Sequence, residues 1–460
     1  MRKLFGLLHL GSEDFADFRI TEVESTSISI RKGIVEEVSY NTSIGGAARV
    51  LFNGGWGFYY TTDLSVQGMY TALEKAYRAA KAVSVKVAEK SRIRIEKTYE
   101  DDVRLNVKID PRSVSLEEKV KTALEFDKCI WKDTERIVTT TVGLSDSVRK
   151  EFIVNSQGSE VRYEVCSIRL SGSAVAKEGD LVQNVSTAVG GSRGWELVEE
   201  FDYVKEGCEL GKRGIELLKA LPPPSGRMNI LMDQSLVGVF IHEAFGHAAE
   251  ADAVKANMSI LSGLIGKRVG VETVNVVDDP TLPGMRGSYP YDSEGTKAVR
   301  REIVKNGILV GYLHSLETAA HLNAEPNGAA RAMNFSSKPI VRMSNTFVEN
   351  GEYSFDELAE LVKNGIYLAK SYGGYVDPAR GQFYFTAQEG YLIENGKIGE
   401  KVQNVSMSGL TLEVLKNVIG VGNDLKHAFP GSCGKDGQWV PVSGGGPHLA
   451  VKDVVVGGRR

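Results

Sequence analysis

Three consecutive prolines near the middle of the chain, Pro222, Pro223 and Pro224, constrain its fold more than any other feature of the sequence. Proline fixes φ and has no backbone N–H, so neither a helix nor a central strand can continue through this segment. A serine and a glycine follow at once and favour a turn or a linker. The segment therefore predicts a boundary between an N-terminal domain over 1–221 and a C-terminal domain over 222–460.

The N-terminal part combines strand and helix patterns. Between 18 and 63, short runs of β-branched and aromatic residues alternate with turn residues such as the Asn-Gly-Gly at 53–55. This pattern predicts an antiparallel sheet of short strands. Apolar residues at helical spacing predict three helices, over 64–90, 116–131 and 203–221. The first domain is therefore predicted to be a β-sheet packed against helices.

The C-terminal part is predicted to be richer in strands. A strand is expected over 227–232, and Asp233 or Ser235 can cap a helix that begins at about Leu236. Most of the remaining sequence is glycine-rich and β-like, and the whole chain contains 50 glycines. The predicted class is therefore α+β, with a larger β-rich C-terminal domain that carries the helix with the histidine motif described below.

Charge and cysteine content exclude several classes of protein. The 55 basic and 59 acidic side chains give a net charge of −4, so the basic surplus of nucleic-acid-binding proteins is absent and no such partner is expected. No run of 18 uninterrupted apolar residues predicts a membrane span. The four cysteines form no C-x-x-C pair, which favours a reducing, cytoplasmic location.

The helix expected after Asp233 carries an H-E-x-x-x-H motif from His242 to His247. Zinc proteases use H-E-x-x-H, in which the two histidines are four residues apart on one helix face. Residues five apart lie about 140° apart around a regular α-helix, so both imidazoles could not face one metal. The spacing predicts a π-type turn or an early helix end, which would be least costly at Gly246. Glu243 stands where a general base would lie.

Two histidines do not complete such a site, because catalytic zinc usually has three protein ligands. The candidates for the third ligand are Glu250, His314, His321, His427, Cys433 and His448. Glu250 follows His247 closely enough to join it. Cys433 stands in a glycine-rich segment, 431–437, that is expected to be a flexible, exposed loop, where Lys435 would favour the thiolate. Without a metal, the motif histidines would be structural residues satisfied by hydrogen bonds.

The segment from His242 to Glu250 resembles the metal-binding segment of the TldD/PmbA family, in particular of its TldD-type catalytic subunit. The likeness continues through Asp278-Asp279-Pro280, Arg286-Gly287-Ser288, Glu294-Gly295-Thr296, Arg342-Met343-Ser344-Asn345, Gly374-Tyr375-Val376-Asp377 and Ser432-Cys433-Gly434-Lys435. It covers the C-terminal half densely and the N-terminal half in arrangement.

The resemblance implies a zinc-dependent metallopeptidase. Its family pattern places Zn²⁺ on His242, His247 and Cys433, with Glu243 as the catalytic base. It also implies that the substrates are unfolded peptides or small proteins, taken inside a closed dimer. The dimer would be a homodimer or a heterodimer with a TldE/PmbA-type paralogue that lacks the metal motif.

Two other functions are weighed against the peptidase. A non-catalytic regulatory protein of the gyrase-modulator type could hold a structural metal, but such a site needs no carboxylate at Glu243. A cysteine hydrolase that pairs Cys433 with His427 or His448 would leave the H-E-x-x-x-H motif unexplained. For a peptidase, Arg331 and Asn345 are candidates for stabilising the oxyanion, although surface or turn-capping roles suit both residues.

Overall fold

The fold is known from a computed structural model that describes residues 2–132 and 135–458. Its strands are β1 Phe15–Arg31, β2 Ile34–Phe52, β3 Gly55–Thr61, β4 Glu100–Val103, β5 Ile137–Asn155, β6 Glu160–Glu178, β7 Leu181–Gly191, β8 Gly226–Met232, β9 Val276–Asp278, β10 Arg301–Lys305, β11 Ile308–Leu309, β12 Ala330–Arg331, β13 Ile340–Val341, β14 Asn345–Val348, β15 Gly365–Asp377, β16 Gln382–Glu394, β17 Lys397–Leu410, β18 Val418–Val421, β19 Lys426–Lys435, β20 Gln438–Gly446 and β21 Leu449–Gly457.

The α-helices are α1 Arg2–Phe5, α2 Val66–Ser84, α3 Leu116–Ile130, α4 Glu196–Glu200, α5 Tyr203–Leu218, α6 Gln234–Phe240, α7 Ala251–Lys255, α8 Leu316–His321, α9 Phe355–Val362 and α10 Thr411–Lys416. A π-helical turn covers Ile241–Gly246, and 3₁₀ turns cover Pro111–Ser113 and His247–Ala249. No helix of the described residues is both long enough and apolar enough to cross a membrane.

The strands before the prolines form one sheet in the order β3-β2-β1-β5-β6-β4, in which β7 also pairs with β6. The expectation of short strands is wrong for β1 and β2, which are 17 and 19 residues long. Glu24, a polar residue within β1, pairs with Thr42 of β2 and with Val148 of β5. Because β1 has a partner on both sides, its polar residues continue the strand instead of ending it.

The three expected helices of this half are present as α2, α3 and α5. Gly57 of β3 lets α2 lie close to the sheet, since a Cβ at this position would stand 1.9 Å from the carbonyl oxygen of Ala76. On another part of the sheet, Phe126 of α3 and Leu210 of α5 belong to one buried apolar cluster. Helices therefore cover the sheet as predicted.

The described strands from β8 onward form two six-stranded sheets and a two-stranded pair of β12 with β13. One has the order β11-β10-β9-β14-β20-β19, and the other has the order β17-β16-β15-β8-β21-β18 with an additional pairing of β17 to β21. Helix α6 contacts both: the ring of Phe240 packs edge-on against Phe383 and Phe385 of β16, and Gly238 adjoins Gly445 of β20. The predicted α+β class, with a β-rich C-terminal half, is confirmed.

Candidate metal centre

Helix α6 delivers the histidine motif to the site. The carboxylate of Asp233 accepts a hydrogen bond from the backbone N–H of Leu236 at 2.8 Å, so the predicted N-cap is confirmed. The helix then runs directly into the π turn, which confirms the irregularity predicted from the five-residue spacing. The wider turn brings the rings of His242 and His247 to a centroid separation of 5.4 Å.

Gly246 ends the π turn at the tightest contact of this segment. A Cβ there would lie 2.1 Å from the sulfur of Met343, a fully buried side chain. Glycine is expected at this position because its backbone accommodates the distorted turn. It is also needed because a side chain would clash with Met343. The glycine serves packing as well as backbone freedom.

Three candidate ligands come together at this turn. One potential ligand atom from each of His242, His247 and Cys433 lies within 4.8 Å of the others, and the Cys433 sulfur is 3.4 Å from Nε2 of His247. Nδ1 of His242 is buried and has no hydrogen-bond partner among the described residues. Leaving a buried polar atom without a partner is costly, and two imidazoles with a thiolate are a donor set that metals accept. The residues therefore fit a metal ion.

Cys433 does not lie in a flexible, exposed loop, as was expected from the glycine-rich sequence. It lies in β19, an edge strand of its sheet, and is only 4% exposed. The loop proper is the two-residue turn at Asp436 and Gly437, both with positive φ, between the paired residues Lys435 and Gln438. An Asp-Gly pair between extended runs is a strong hairpin signal, and it could have predicted this strand.

The two imidazoles ionise the thiol. Burial opposes charge on Cys433, but the neighbouring His242 and His247 outweigh it and lower the pKa of the thiol to about 5. In turn, burial disfavours the imidazolium of His247, whereas the charges of Glu250 and Cys433 raise its pKa well above the usual value. The histidines, and not Lys435 as expected, are the groups that lower the pKa of this thiol most.

Glu250 contacts His247 at the ring nitrogen that does not face Cys433. Its carboxylate lies 3.0 Å from Nδ1 of His247, which leaves Nε2 of that ring to face Cys433. Lys435 lies 3.0 Å from the same carboxylate and 2.7 Å from Asp252. Although burial opposes ionisation, Lys435 and His247 lower the pKa of Glu250 to about 2. Glu250 thus orients a histidine, and its expected alternative role as the third ligand is not supported.

The remaining candidates for the third ligand have contacts elsewhere. His448 lies 2.6 Å from Asp424, His314 is 3.3 Å from Thr318, and His321 is 3.2 Å from Glu89. The fourth, His427, packs edge-on against a phenylalanine ring. None of them belongs to the cluster that the described residues form.

The two oxyanion candidates are engaged in structural contacts. Asn345 donates to the carbonyl oxygen of Asp279 and accepts from the N–H of Gly287. Arg331 donates to the carbonyl oxygen of Met343, and its guanidinium lies 4.8 Å from the ring centre of Tyr289. Neither side chain lines the cleft at the histidine motif.

Glu243 faces an open cleft of about 610 Å³ beside the cluster. Its side chain is 31% exposed, and its carboxylate lies 3.7 Å from Nε2 of His247. Tyr375 and Met258, both largely exposed, line the cleft together with His247. The arrangement places a solvent-accessible carboxylate next to a buried donor set, which suits transfer of a proton from a water molecule.

Comparison with family models covers most of the chain. Residues 16–83 match the PmbA/TldA metallopeptidase domain 1, residues 109–221 match the PmbA/TldA metallopeptidase central domain, and residues 225–458 match the PmbA/TldA metallopeptidase C-terminal domain.

Curated proteins are similar over nearly their full length. A metalloprotease of Methanocaldococcus jannaschii is 41% identical over 97% of this chain and 97% of its own. A zinc metalloprotease TldD homolog of Saccharolobus solfataricus is 31% identical over 96% of each chain. Among solved structures, TldE from Thermococcus kodakarensis superimposes with a TM-score of 0.79 over 99% of this chain and 98% of its own, at 15% identity. At that identity the likeness is one of fold.

Proposed function

Because this chain belongs to the PmbA/TldD metallopeptidase family, we propose that it is a zinc-dependent peptidase that hydrolyses peptide bonds of unfolded peptides or small proteins. His242, His247 and Cys433 would hold the zinc ion, and Glu243 would be the catalytic base. The observation that carries the proposal is the position of Glu243, which shares one open cleft with His247 beside the three clustered donors.

In the proposed reaction, the zinc ion and the protein side chains have separate roles. A bound zinc ion supplies Lewis acidity, which polarises the scissile carbonyl and acidifies water. The carboxylate of Glu243 accepts the proton of the attacking water and passes it to the leaving amine. Glu250 holds His247 in the orientation that presents Nε2 toward Cys433, so the donor set is fixed before substrate arrives.

The shape of the cleft supports an extended substrate. Its volume of about 610 Å³ admits a short stretch of polypeptide, whereas a folded domain could not enter. The walls offer exposed apolar and aromatic surface at Met258 and Tyr375, which binds side chains with little sequence selectivity. Unfolded peptides are therefore the substrate class that the site suits best.

The decisive variant is Glu243→Gln, which keeps the size of the side chain and removes the base. We expect it to retain about one zinc per chain and to lose nearly all cleavage of an unstructured peptide that carries a fluorophore and a quencher. Glu302→Gln, at an exposed ion pair away from the cleft, is the matched control and should cleave like the wild type. Undiminished cleavage by Glu243→Gln would exclude Glu243 as the base.

The same assay decides the alternative of a non-catalytic regulatory protein. In that case wild-type protein with its full zinc content would leave every unfolded peptide intact. Metal content is determined by elemental analysis on the same preparations, so an empty site is not mistaken for an inactive one.

We also propose that the chain acts as a dimer, either with itself or with a TldE-type paralogue. The shared fold with TldE supports a partner of the same shape. The first half of β2 supports it as well, since β3 covers only Gly46–Phe52, and the preceding residues expose Ile34 and Tyr40. Unprotected strand edges with apolar side chains are typical of surfaces that a partner covers. Light scattering of the protein alone, and mixed with the paralogue, measures the assembly.

A further inference from the structure

A second cavity, of about 120 Å³, lies between the two halves of the chain and contains none of the proposed zinc ligands. The N-terminal sheet lines it with Ser147, Arg149 and Ser167, and the C-terminal half lines it with Arg286 and Arg331. An engineered cavity of about 150 Å³ admits benzene, so this space is large enough for a small polyatomic ion. Its lining is rich in hydroxyl and guanidinium groups.

Arg286 lacks an acidic partner in this cavity. Its guanidinium donates to the carbonyl oxygen of Gly431 at 3.1 Å and to the hydroxyls of Ser167 and Ser432. Within the described part of the chain, no carboxylate lies within ion-pair distance of it. Burial and the positive charges of Arg169 and Arg331 lower the pKa of Arg286 to about 10, which shows that its surroundings disfavour the cation.

Arg331 also lines this cavity. Within the described ranges its guanidinium donates one hydrogen bond, to the carbonyl oxygen of Met343 at 2.8 Å, and the group stacks on Tyr289. Among the residues described, it too has no carboxylate within ion-pair distance. Burial lowers its pKa to about 10, although Tyr289 opposes the shift. An arginine has five N–H donors, and the hydrogen bond to Met343 uses a single one of them.

The acidic side chains near the cavity already have partners within the protein. Glu151 pairs with Arg149 and lies 3.8 Å from Arg19, so one carboxylate serves two guanidinium groups. Asp292, which lines the cavity, accepts three backbone N–H bonds, and burial beside Glu294 raises its pKa to about 7. The cavity therefore keeps an excess of positive charge that the described protein groups do not balance.

The geometry points to this cavity as a binding site for a small oxyanion, a carboxylate or a phosphate, held between Arg286 and Arg331. A half-buried cation without a counter-charge is unfavourable, and an oxyanion supplies both the charge and the acceptors for the unused N–H groups. The planar guanidinium matches such an anion in a two-pronged arrangement. The serine hydroxyls around it donate the remaining hydrogen bonds.

A single hairpin, made of β19 and β20, connects the cavity with the proposed zinc site. Trp439 and Val440 of β20 line it, and Val440 pairs directly with Cys433 across the hairpin. The oxyanion could thus be the terminal carboxylate of a peptide or a free inorganic ion, and both present the same chemistry to the arginines. The binding site itself does not depend on the proposed peptidase activity.

The test uses inorganic phosphate as the probe on the full-length, metal-loaded protein. Phosphate is titrated at constant ionic strength in chloride buffer, and the unfolding temperature is followed. We expect a saturable rise for the wild type, because an ion that binds only the folded state stabilises it. Arg286→Met and Arg331→Met should each weaken half-saturation by about tenfold or more, since each removes charged hydrogen bonds.

Arg268→Met is the matched control, because Arg268, like Arg331, donates to backbone carbonyls among the described residues and lies away from the cavity. It should respond to phosphate as the wild type does. An equal response in all four proteins, or a wild-type response that never saturates, would overturn the inference. Zinc content and peptide cleavage are measured on the same samples, so a failure of the anion site is distinguishable from a failure of the metal site.

If both cavity variants fail to fold, hydrogen exchange on the wild-type protein tests the proposed anion site instead. Phosphate should slow exchange around Arg286 and Arg331, and protection confined to other segments would contradict the site. A short peptide with a free carboxylate and its amidated counterpart then compete against phosphate. Competition by the free acid alone identifies peptide termini as the source, whereas no competition by either peptide identifies a free inorganic ion.

Discussion

At the scale of single residues, the site is organised around His247. One ring nitrogen faces the carboxylate of Glu250, and the other faces the sulfur of Cys433. Glu250 is itself held by Lys435, so three groups in contact, Lys435, Glu250 and His247, lead to the cluster. Such outer partners fix the tautomer and the orientation of a ligating histidine.

This chain of contacts predicts the effect of Glu250→Gln. The amide keeps the volume of the side chain but loses the charge that holds His247, so zinc affinity should fall by roughly 10- to 100-fold. Competition with a chromogenic chelator measures the affinity. Glu317→Gln, which removes a carboxylate that pairs with Lys255 outside the cluster, should bind zinc like the wild type. Equal affinities in the two variants would mean that Glu250 has no part in the site.

The ionisation of Cys433 gives a pH-dependent prediction. In metal-free protein its thiolate should persist down to about pH 5 and become protonated as the pH falls through that value. The ultraviolet absorbance of the thiolate reports the step without requiring access for a reagent. Cys433→Ser should remove the step, whereas Cys166→Ser should retain it, because burial raises the pKa of Cys166 to about 12. A first thiol step near the ordinary value in the wild type would contradict the imidazole contacts.

At the scale of elements, the sequence predicted what depends on near neighbours. The cap at Asp233 and the π turn before His247 follow from residues a few positions apart, and both were predicted correctly. The strand that holds Cys433 was expected to be a loop, although the Asp-Gly pair that follows it is a local hairpin signal. The continuity of β1 through Glu24, by contrast, follows from strands on both sides, which no local pattern encodes.

The π turn can be tested through its glycine. Gly246→Ala would place a Cβ against the sulfur of Met343, and overpacking of this kind costs roughly 1–3 kcal/mol. Denaturant unfolding should show that loss, together with weaker zinc binding as the turn shifts. The double variant Gly246→Ala/Met343→Ala makes room for the Cβ, so its cost should be less than the two single costs combined. Strict additivity would show that the two residues do not meet.

At the scale of the whole molecule, a buried cluster of charges joins the two halves. Arg49 of the first sheet pairs with Asp17 and, at 2.9 Å, with Glu294 of the C-terminal half, and all three side chains are nearly inaccessible. A buried arginine that loses one of its acids keeps a charge it cannot solvate. The domains proposed over 1–221 and 222–460 are therefore coupled by more than the chain between them.

Removing one member of this cluster should weaken the whole molecule. Glu294→Ala is expected to cost about 3–5 kcal/mol of unfolding free energy and to make the unfolding of the two halves separable in urea. Glu302→Ala, at the exposed pair with Lys305, should cost less than about 1 kcal/mol. A single, unshifted transition for Glu294→Ala would show that the halves are held together elsewhere.

The distance along the chain between His247 and Cys433, 186 residues, has a consequence for biosynthesis. While the protein is being translated, its histidines and its acid emerge from the ribosome long before the sulfur does. The nascent polypeptide therefore passes through a lengthy stage in which it holds two of the three candidate metal donors and lacks the third. A chain cannot complete its own set of donors until nearly all of it has been synthesised.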